Sequence, residues 1–192
     1  MPSLRPQLGD IGFVHNTDFV DKVIQWAERR KYGRYSQEAY YNHCFIIIDD
    51  LGNLVEAVKG VVEANISGYA GQEFAIYRPP YLSNDSATSM IAATTAVAMV
   101  GAEKYGWLSF VSEALMFLTG TKLRFGRSGT TICSGLVSYC LTRAGIDVAS
   151  RTGGDENYNS PADLMHYVVT GNWQEIMRAG GPTANVTTTA GG

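Results

Sequence analysis

The sequence predicts an α+β protein whose mainly antiparallel sheet packs against helices. Three observations favour this class. Short β-branched segments dominate the chain up to Pro80, and longer helical segments follow them. The strict alternation of strands and helices that builds a parallel sheet does not occur. With 192 residues, 45% of them hydrophobic and 17% charged, the chain suffices for one domain with a buried core, which excludes a disordered protein.

Six strands are predicted from apolar, β-branched runs that turn residues separate. They cover residues 10–15, 43–48, 53–59, 61–66, 73–78 and 173–177. The run 43–48 is apolar at nearly every position, which indicates a strand buried on both faces. The sequence Asp-Asp-Leu-Gly-Asn follows it and predicts a hairpin between the second and third strands.

Helices are predicted from apolar residues at helical spacing and from capping residues. They cover residues 18–30, 84–103, 107–118, 133–144 and 161–169. Gly145 has the place of a left-handed C-terminal cap, and Ser160 before Pro161 is typical of an N-cap followed by a proline in the first turn. Residues 180–192 are rich in Gly and Thr and indicate a tail, so we expect the single domain to cover residues 1–179.

Composition excludes several function classes. Fifteen Lys and Arg against 18 Asp and Glu give a net charge of −3, so the basic excess of a nucleic-acid-binding protein is missing. Three cysteines do not fit a disulfide framework, and no cysteine–histidine spacing indicates a metal or other cofactor.

The first residues lack the apolar run of a signal peptide. The uncharged stretch 86–102 is short for a membrane span and indicates a buried helix, so no stable membrane insertion is expected.

Cys133 is the best-placed candidate nucleophile. It follows the sequence Gly-Thr-Thr-Ile and begins the predicted helix 133–144. Unpaired backbone N–H groups and the dipole at a helix N-terminus stabilise a thiolate, and the N–H groups of Cys133 and Ser134 can hold an oxyanion. The alternative is a buried structural cysteine, which is the role predicted for Cys44 and Cys140.

A thiolate nucleophile needs a base, and His43 has the best position among the three histidines. It begins the buried strand 43–48, where a side chain can reach a cleft and still be held rigidly. His15 ends the first strand and is an alternative base. His166 lies within the last predicted helix and indicates a partly buried structural residue.

Glu56 is the candidate that would orient His43. A hairpin centred between Asp49 and Asp50 places Glu56 directly opposite His43, within reach of its imidazole. A register slip of one residue would turn Glu56 to the other face, and Glu63 on the next strand is the rival carboxylate. For substrate contacts we predict Tyr41 with Arg124 and Arg127, because arginines near the cleft can bind a carboxylate.

The order His43, Glu56, Cys133 resembles the circularly permuted branch of the NlpC-type papain-like superfamily, particularly its YiiX-like group. The matching segments run in family order over residues 9–169. They are GDIGFVH at 9–15, NHCFIIID at 42–49, LVEA at 54–57, AIYRPP at 75–80, YGWLSF at 105–110, TICSGLVSYCLTRAGID at 131–147 and NSPADLMHYV at 159–168. The chain departs from the family at Cys44, where a small aliphatic residue is commoner, and across 82–127, where no motif is assigned.

The resemblance implies a papain-like fold, with an antiparallel sheet or half-barrel against helices. It implies Cys133 as nucleophile, His43 as base and Glu56 as the third polar residue of a cysteine hydrolase. The leading substrate is an amide bond in a peptidoglycan stem peptide or another peptide. A lipid or thioester acyl group is the alternative, since permuted relatives include lipid acyltransferases and residues 86–118 carry few charges.

A non-catalytic alternative is a papain-like fold kept as a structural or assembly protein, for example in a phage particle, where a partner would hold the tail. Without a signal peptide, we expect synthesis in the cytoplasm. A cell-wall substrate would then require another delivery route, such as lysis, injection or a virion.

Overall fold

The computed structural model describes residues 5–16, 29, 33, 37–58, 60–80, 86–101, 133–148 and 160–180. They form an α+β fold. Its strands are β1 (Ile11–His15), β2 (His43–Ile47), β3 (Asn53–Ala57), β4 (Val61–Asn65), β5 (Glu73–Arg78) and β6 (Gln174–Ala179). Its helices are α1 (Ser86–Met99), α2 (Cys133–Arg143) and α3 (Pro161–Thr170), and a short 3₁₀ helix, Ile66–Tyr69, joins β4 to β5.

The strands form one sheet in the order β4-β3-β2-β1-β5-β6, and every neighbouring pair is antiparallel. The predicted fold class is therefore confirmed. The last strand lies at Gln174–Ala179, whereas the sequence predicts 173–177. The predicted helix 107–118, almost all of the predicted helix 18–30 and the tail beyond residue 180 lie outside the described residues.

Both faces of the sheet are covered, and β2 is at the centre of the arrangement. Side chains alternate along a strand, so Cys44 and Ile46 face the main core, where Leu136 of α2 packs. Phe45 and Ile47 point to the opposite face, into a smaller apolar cluster. All five residues of β2 are buried, which explains why the segment 43–48 is apolar at every position after His43.

The predicted helix caps are present. Gly145 has a φ of 83° after the end of α2, and this left-handed conformation favours glycine. At α3, the Ser160 Oγ accepts the Asp163 N–H at 3.2 Å, and the Asp163 carboxylate accepts the Ser160 N–H at 3.0 Å. This reciprocal capping box fixes the start of α3. Of the helices that the structure describes, none has both the length and the apolarity needed to cross a bilayer.

The register of the β2–β3 hairpin differs from the prediction by two residues. Glu56 lies opposite Phe45 and Leu54 lies opposite Ile47, so the turn is centred between Asp50 and Leu51. The cause is a longer loop, in which the Asp49 carboxylate accepts the N–H groups of Leu51 and Asn53, each at 2.9 Å. The predicted direct opposition of His43 and Glu56 is therefore wrong.

Because the register differs from the prediction by an even number of residues, each side chain stays on its predicted face of the sheet. A one-residue slip moves a side chain to the other face, whereas a two-residue shift leaves it on the same face. Glu56 is therefore the diagonal neighbour of His43. Diagonal Cβ atoms lie roughly 7–8 Å apart, a span that two long side chains can bridge.

Candidate active site

Cys133 is the first residue of α2, and its side chain packs into the main core. It is 4% exposed. The N–H groups of the first helical turn have no acceptor within the helix, and the positive end of the dipole lies there. The predicted helix start is thus where the structure places it, with the sulfur of Cys133 beside the sheet.

His43 at the start of β2 links the helix to the sheet. Its side chain is hydrogen-bonded to Cys133, and its Nε2 atom lies 2.6 Å from the Glu56 Oε2 atom. An ionised carboxylate can only accept, so Nε2 carries a proton and donates it to Glu56. Nδ1 is then the nitrogen that exchanges a proton with the Cys133 sulfur.

Glu56 on β3 is buried, with 7% of its surface exposed. Its Oε2 atom accepts from His43 and also from the hydroxyl of Tyr69, a residue not predicted for the site. Burial alone would raise the pKa of the Glu56 carboxyl. The hydrogen bond and charge of His43, together with the Tyr69 hydroxyl, outweigh burial and lower it, so Glu56 is ionised at neutral pH.

The charges of the three side chains support one another. Burial favours a neutral His43, but the Cys133 thiolate and the Glu56 carboxylate outweigh it and raise the pKa of His43 to about 10. The pKa of Cys133 is well below that of an ordinary thiol: hydrogen bonding from Cys44 is the largest cause, and the charge of His43 adds to it against the effect of burial. These shifts favour the charged forms of all three groups, so that a thiolate, an imidazolium and a carboxylate lie in a row.

Cys44, which its place in an apolar strand predicts only as a core residue, is a neighbour of Cys133. It is fully buried, as expected. Its thiol and its backbone N–H both hydrogen-bond to the Cys133 sulfur. A sequence signal was present, because Cys44 stands where the family that the sequence resembles commonly has a small aliphatic residue, but nothing in the sequence pairs Cys44 with Cys133.

Removing the Cys44 thiol is expected to raise the pKa of Cys133. A hydrogen bond to a charged group contributes about 1.5–3 kcal/mol, so Cys44→Ala should shift the thiolate titration upward by roughly one to two pH units. The measurement is the ultraviolet absorbance of the thiolate against pH. Cys44→Ser keeps a donor and should retain most of the low pKa; equal titrations of Cys44→Ala and wild type would contradict the contact.

The rival residues have other partners. His15 Nδ1 lies 2.8 Å from the Tyr40 carbonyl oxygen, and the His15 ring stacks on Tyr40. His166 Nδ1 lies 3.4 Å from a carboxylate oxygen of Glu38 on a half-exposed surface. Glu63 is exposed and lies opposite Val55. The structure therefore brings His43 and Glu56, rather than these residues, to Cys133.

The predicted substrate contacts are not brought to this site. Tyr41 is fully buried; its hydroxyl accepts from Arg178 at 2.8 Å, and its ring packs near Phe13. In this position Tyr41 is a core residue and does not face a substrate. Arg124 and Arg127 lie outside the described residues.

Comparison with known proteins identifies a fold rather than a family. No family model matches the chain, and no curated protein matches it. A similar solved structure is the crystal structure of the metalloprotein YiiX from Escherichia coli O157:H7, of the group DUF1105. It is 18% identical, the match covers 85% of this chain and 81% of that chain, and the TM-score is 0.55.

YiiX is described as a metalloprotein, which raises the question of a metal site in this chain. Within the described ranges, no group of three or more His, Cys, Asp or Glu side chains has the arrangement of a metal site. What the comparison does establish is the fold: the chain has the α+β architecture of YiiX, which is papain-like, as the sequence predicts.

Proposed function

We propose that this protein is a cysteine-dependent hydrolase that cleaves an amide bond through a covalent acyl-enzyme. The observation that carries the proposal is the hydrogen-bonded row of Cys133, His43 and Glu56 at the start of α2. A nucleophile whose base is oriented by a third group is the general pattern of covalent acyl transfer. The low pKa of Cys133 supplies the nucleophilic form at neutral pH.

In the first half of the reaction, the Cys133 thiolate attacks the carbonyl carbon and a C–S bond forms. The oxyanion lies against the backbone N–H groups of Cys133 and Ser134 at the start of the helix. His43 gives its Nδ1 proton to the leaving nitrogen, the C–N bond breaks, and the amine departs. Glu56 stabilises the imidazolium up to this step and holds its ring in place.

In the second half, the neutral His43 takes a proton from water as the water oxygen attacks the thioester. The C–S bond breaks, the acid product leaves, and Cys133 returns to the thiolate. His43 now carries the proton taken from water and is an imidazolium again, so the cycle closes without a cofactor.

For the substrate we propose a peptide, with a peptidoglycan stem peptide as the first choice. The support is the resemblance of the segments around Cys133, His43 and Glu56 to the permuted NlpC-type enzymes. The overall fold agrees with that resemblance but does not select a substrate.

A second candidate is hydrolysis or transfer of a lipid or thioester acyl group. Helix α1 carries no charged residue, and it leaves Met90, Ile91 and Val97 exposed. Such a surface suits an acyl chain better than a polar peptide. This is the observation that keeps the lipid alternative open.

The test is incubation of the purified protein with muropeptides and, separately, with phospholipid vesicles and an acyl thioester. New amine termini from muropeptides in the wild type, and none in Cys133→Ser, would support the amide hydrolase. Released fatty acid or thiol would favour the second candidate. No turnover together with a Cys133 that alkylates like an ordinary thiol would overturn both and favour a structural or assembly protein, in a phage particle for example.

A further inference from the structure

Tyr69 lies at the end of the 3₁₀ helix, and its hydroxyl donates to the Glu56 Oε2 atom. That oxygen is the same one that accepts from His43 Nε2 at 2.6 Å. The Tyr69 and His43 rings are 6.4 Å apart between centroids. Tyr69 thus extends the row of hydrogen-bonded groups that begins at Cys133.

The 3₁₀ helix is tied to the β2–β3 hairpin by its own hydrogen bonds. The Asn65 side chain accepts the Ser67 N–H at 3.0 Å and donates to the Asn53 side chain at 2.8 Å. The Ile66 N–H donates to the Gly52 carbonyl at 2.9 Å. The segment that carries Tyr69 is therefore fixed on the same hairpin that carries His43 and Glu56.

The ring of Tyr69 is positioned by packing as well. It stacks on Phe45, with centroids 5.3 Å apart and an interplanar angle of 11°. Phe45 in turn covers Gly12 of β1, where any Cβ atom would overlap the Phe45 ring. Because this packing involves the ring alone, a phenylalanine at position 69 should keep it.

We propose that Tyr69 is a positioning residue of the hydrolytic site, and that its hydroxyl holds the Glu56 carboxylate ionised and oriented toward His43. This inference rests on the proposed function. The Glu56 oxygen has to lie in line with the Nε2–H bond for His43 to present its other nitrogen to Cys133. Two donors on one oxygen fix the carboxylate more firmly than His43 alone does.

The expected consequence concerns protonation at low pH. The titratable groups that face Glu56 in the described part of the chain are His43 from β2 and Tyr69 from the 3₁₀ helix, with Cys133 of α2 beyond His43. Burial raises the pKa of Glu56, and hydrogen bonds from His43 and Tyr69 counter it. Without the hydroxyl, Glu56 takes up a proton at higher pH and stops supporting the imidazolium there.

The experiment is Tyr69→Phe, measured by the pH dependence of kcat and KM on the substrate that the wild type hydrolyses, with iodoacetamide alkylation showing in both proteins whether the low-pKa Cys133 is kept. The acid limb of the kcat/KM profile, which reports the ionisation of Glu56, should move upward by about one pH unit. The value of kcat should fall about tenfold with KM unchanged, as expected for one lost hydrogen bond to a charged group. A purely structural tyrosine would change thermal stability without moving the acid limb.

Tyr40→Phe is the matched control, because the Tyr40 hydroxyl donates to the carboxylate of Glu73, away from the row of groups at Cys133. It should keep the wild-type profile. A Tyr69→Phe profile equal to that of the wild type, with a low-pKa Cys133 in both, would overturn the role of Tyr69 and leave the proposed function standing. An ordinary thiol at Cys133 in the wild type would overturn both.

Discussion

Replacement of Cys133 by alanine is expected to abolish turnover while the fold persists. Removal of the nucleophile from a covalent hydrolase costs on the order of four to six powers of ten in rate, because the remaining groups cannot form the acyl-enzyme. The alanine removes one buried sulfur atom and its hydrogen bonds from Cys44 but leaves the backbone of α2 in place, so circular dichroism should stay unchanged and the thermal midpoint should fall only modestly. Turnover is measured on whichever acyl substrate the wild type hydrolyses.

Cys140→Ala is the matched control for this variant. Cys140 lies in the same helix, is fully buried, and has a pKa that burial raises to about 12. It should retain wild-type turnover, with a modest loss of stability from the small cavity. Full turnover in Cys133→Ala, or its loss in Cys140→Ala with Cys133 intact, would contradict the assignment of the nucleophile.

Replacement of Glu56 by glutamine is expected to lower activity by about 10- to 100-fold. The activity that remains should still exceed that of Cys133→Ala. The amide still fills the space and can bond to His43, but it lacks the charge that stabilises the imidazolium, an interaction of about 1.5–3 kcal/mol. The same loss should lower the pKa of His43 from about 10. The basic limb of the pH–rate profile should therefore move to lower pH.

The control for Glu56→Gln is Glu63→Gln on the neighbouring strand. Glu63 is exposed, so its loss should leave both activity and the basic limb unchanged. Because Glu56 is 7% exposed, Glu56→Gln should also reduce the free energy of unfolding by about 1–3 kcal/mol. Activity is therefore compared at equal folded fraction. A silent Glu56→Gln with a damaging Glu63→Gln would make Glu63 the partner of His43.

The fold was predictable because local signals and long-range packing agree in this chain. The apolar run at 43–48 predicts a strand buried on both faces, and apolar clusters on the two faces of the sheet bury it. Gly145 ends one helix through its left-handed backbone, and Ser160 begins another through its capping box with Asp163. Both signals involve only residues that are close in sequence. The hairpin register was not predictable, because it depends on whether the Asp49 side chain accepts the N–H groups of Leu51 and Asn53.

The grouping of Cys133, His43 and Glu56 could be predicted in part. Parity along the strands put His43 and Glu56 on one face even with the wrong register. Cys44 and Tyr69 were missed because their contacts depend on packing between distant segments: α2 against β2, and the 3₁₀ helix against Phe45. The chemical roles of the site residues stay predictions.

The most direct measurement is the rate of iodoacetamide labelling at Cys133 as a function of pH, located by mass spectrometry of the intact, folded protein. A thiolate paired with His43 predicts a rate already at its plateau at about neutral pH, with Cys140 unlabelled as an internal reference. In His43→Ala the same sulfur should titrate at a higher pH than in the wild type, toward the ordinary thiol value of about 8.5, because the imidazolium is lost while the hydrogen bonds from Cys44 remain. A wild-type rate that rises only through that range, unchanged by His43→Ala, would contradict the thiolate–imidazolium pair and the hydrolase with it.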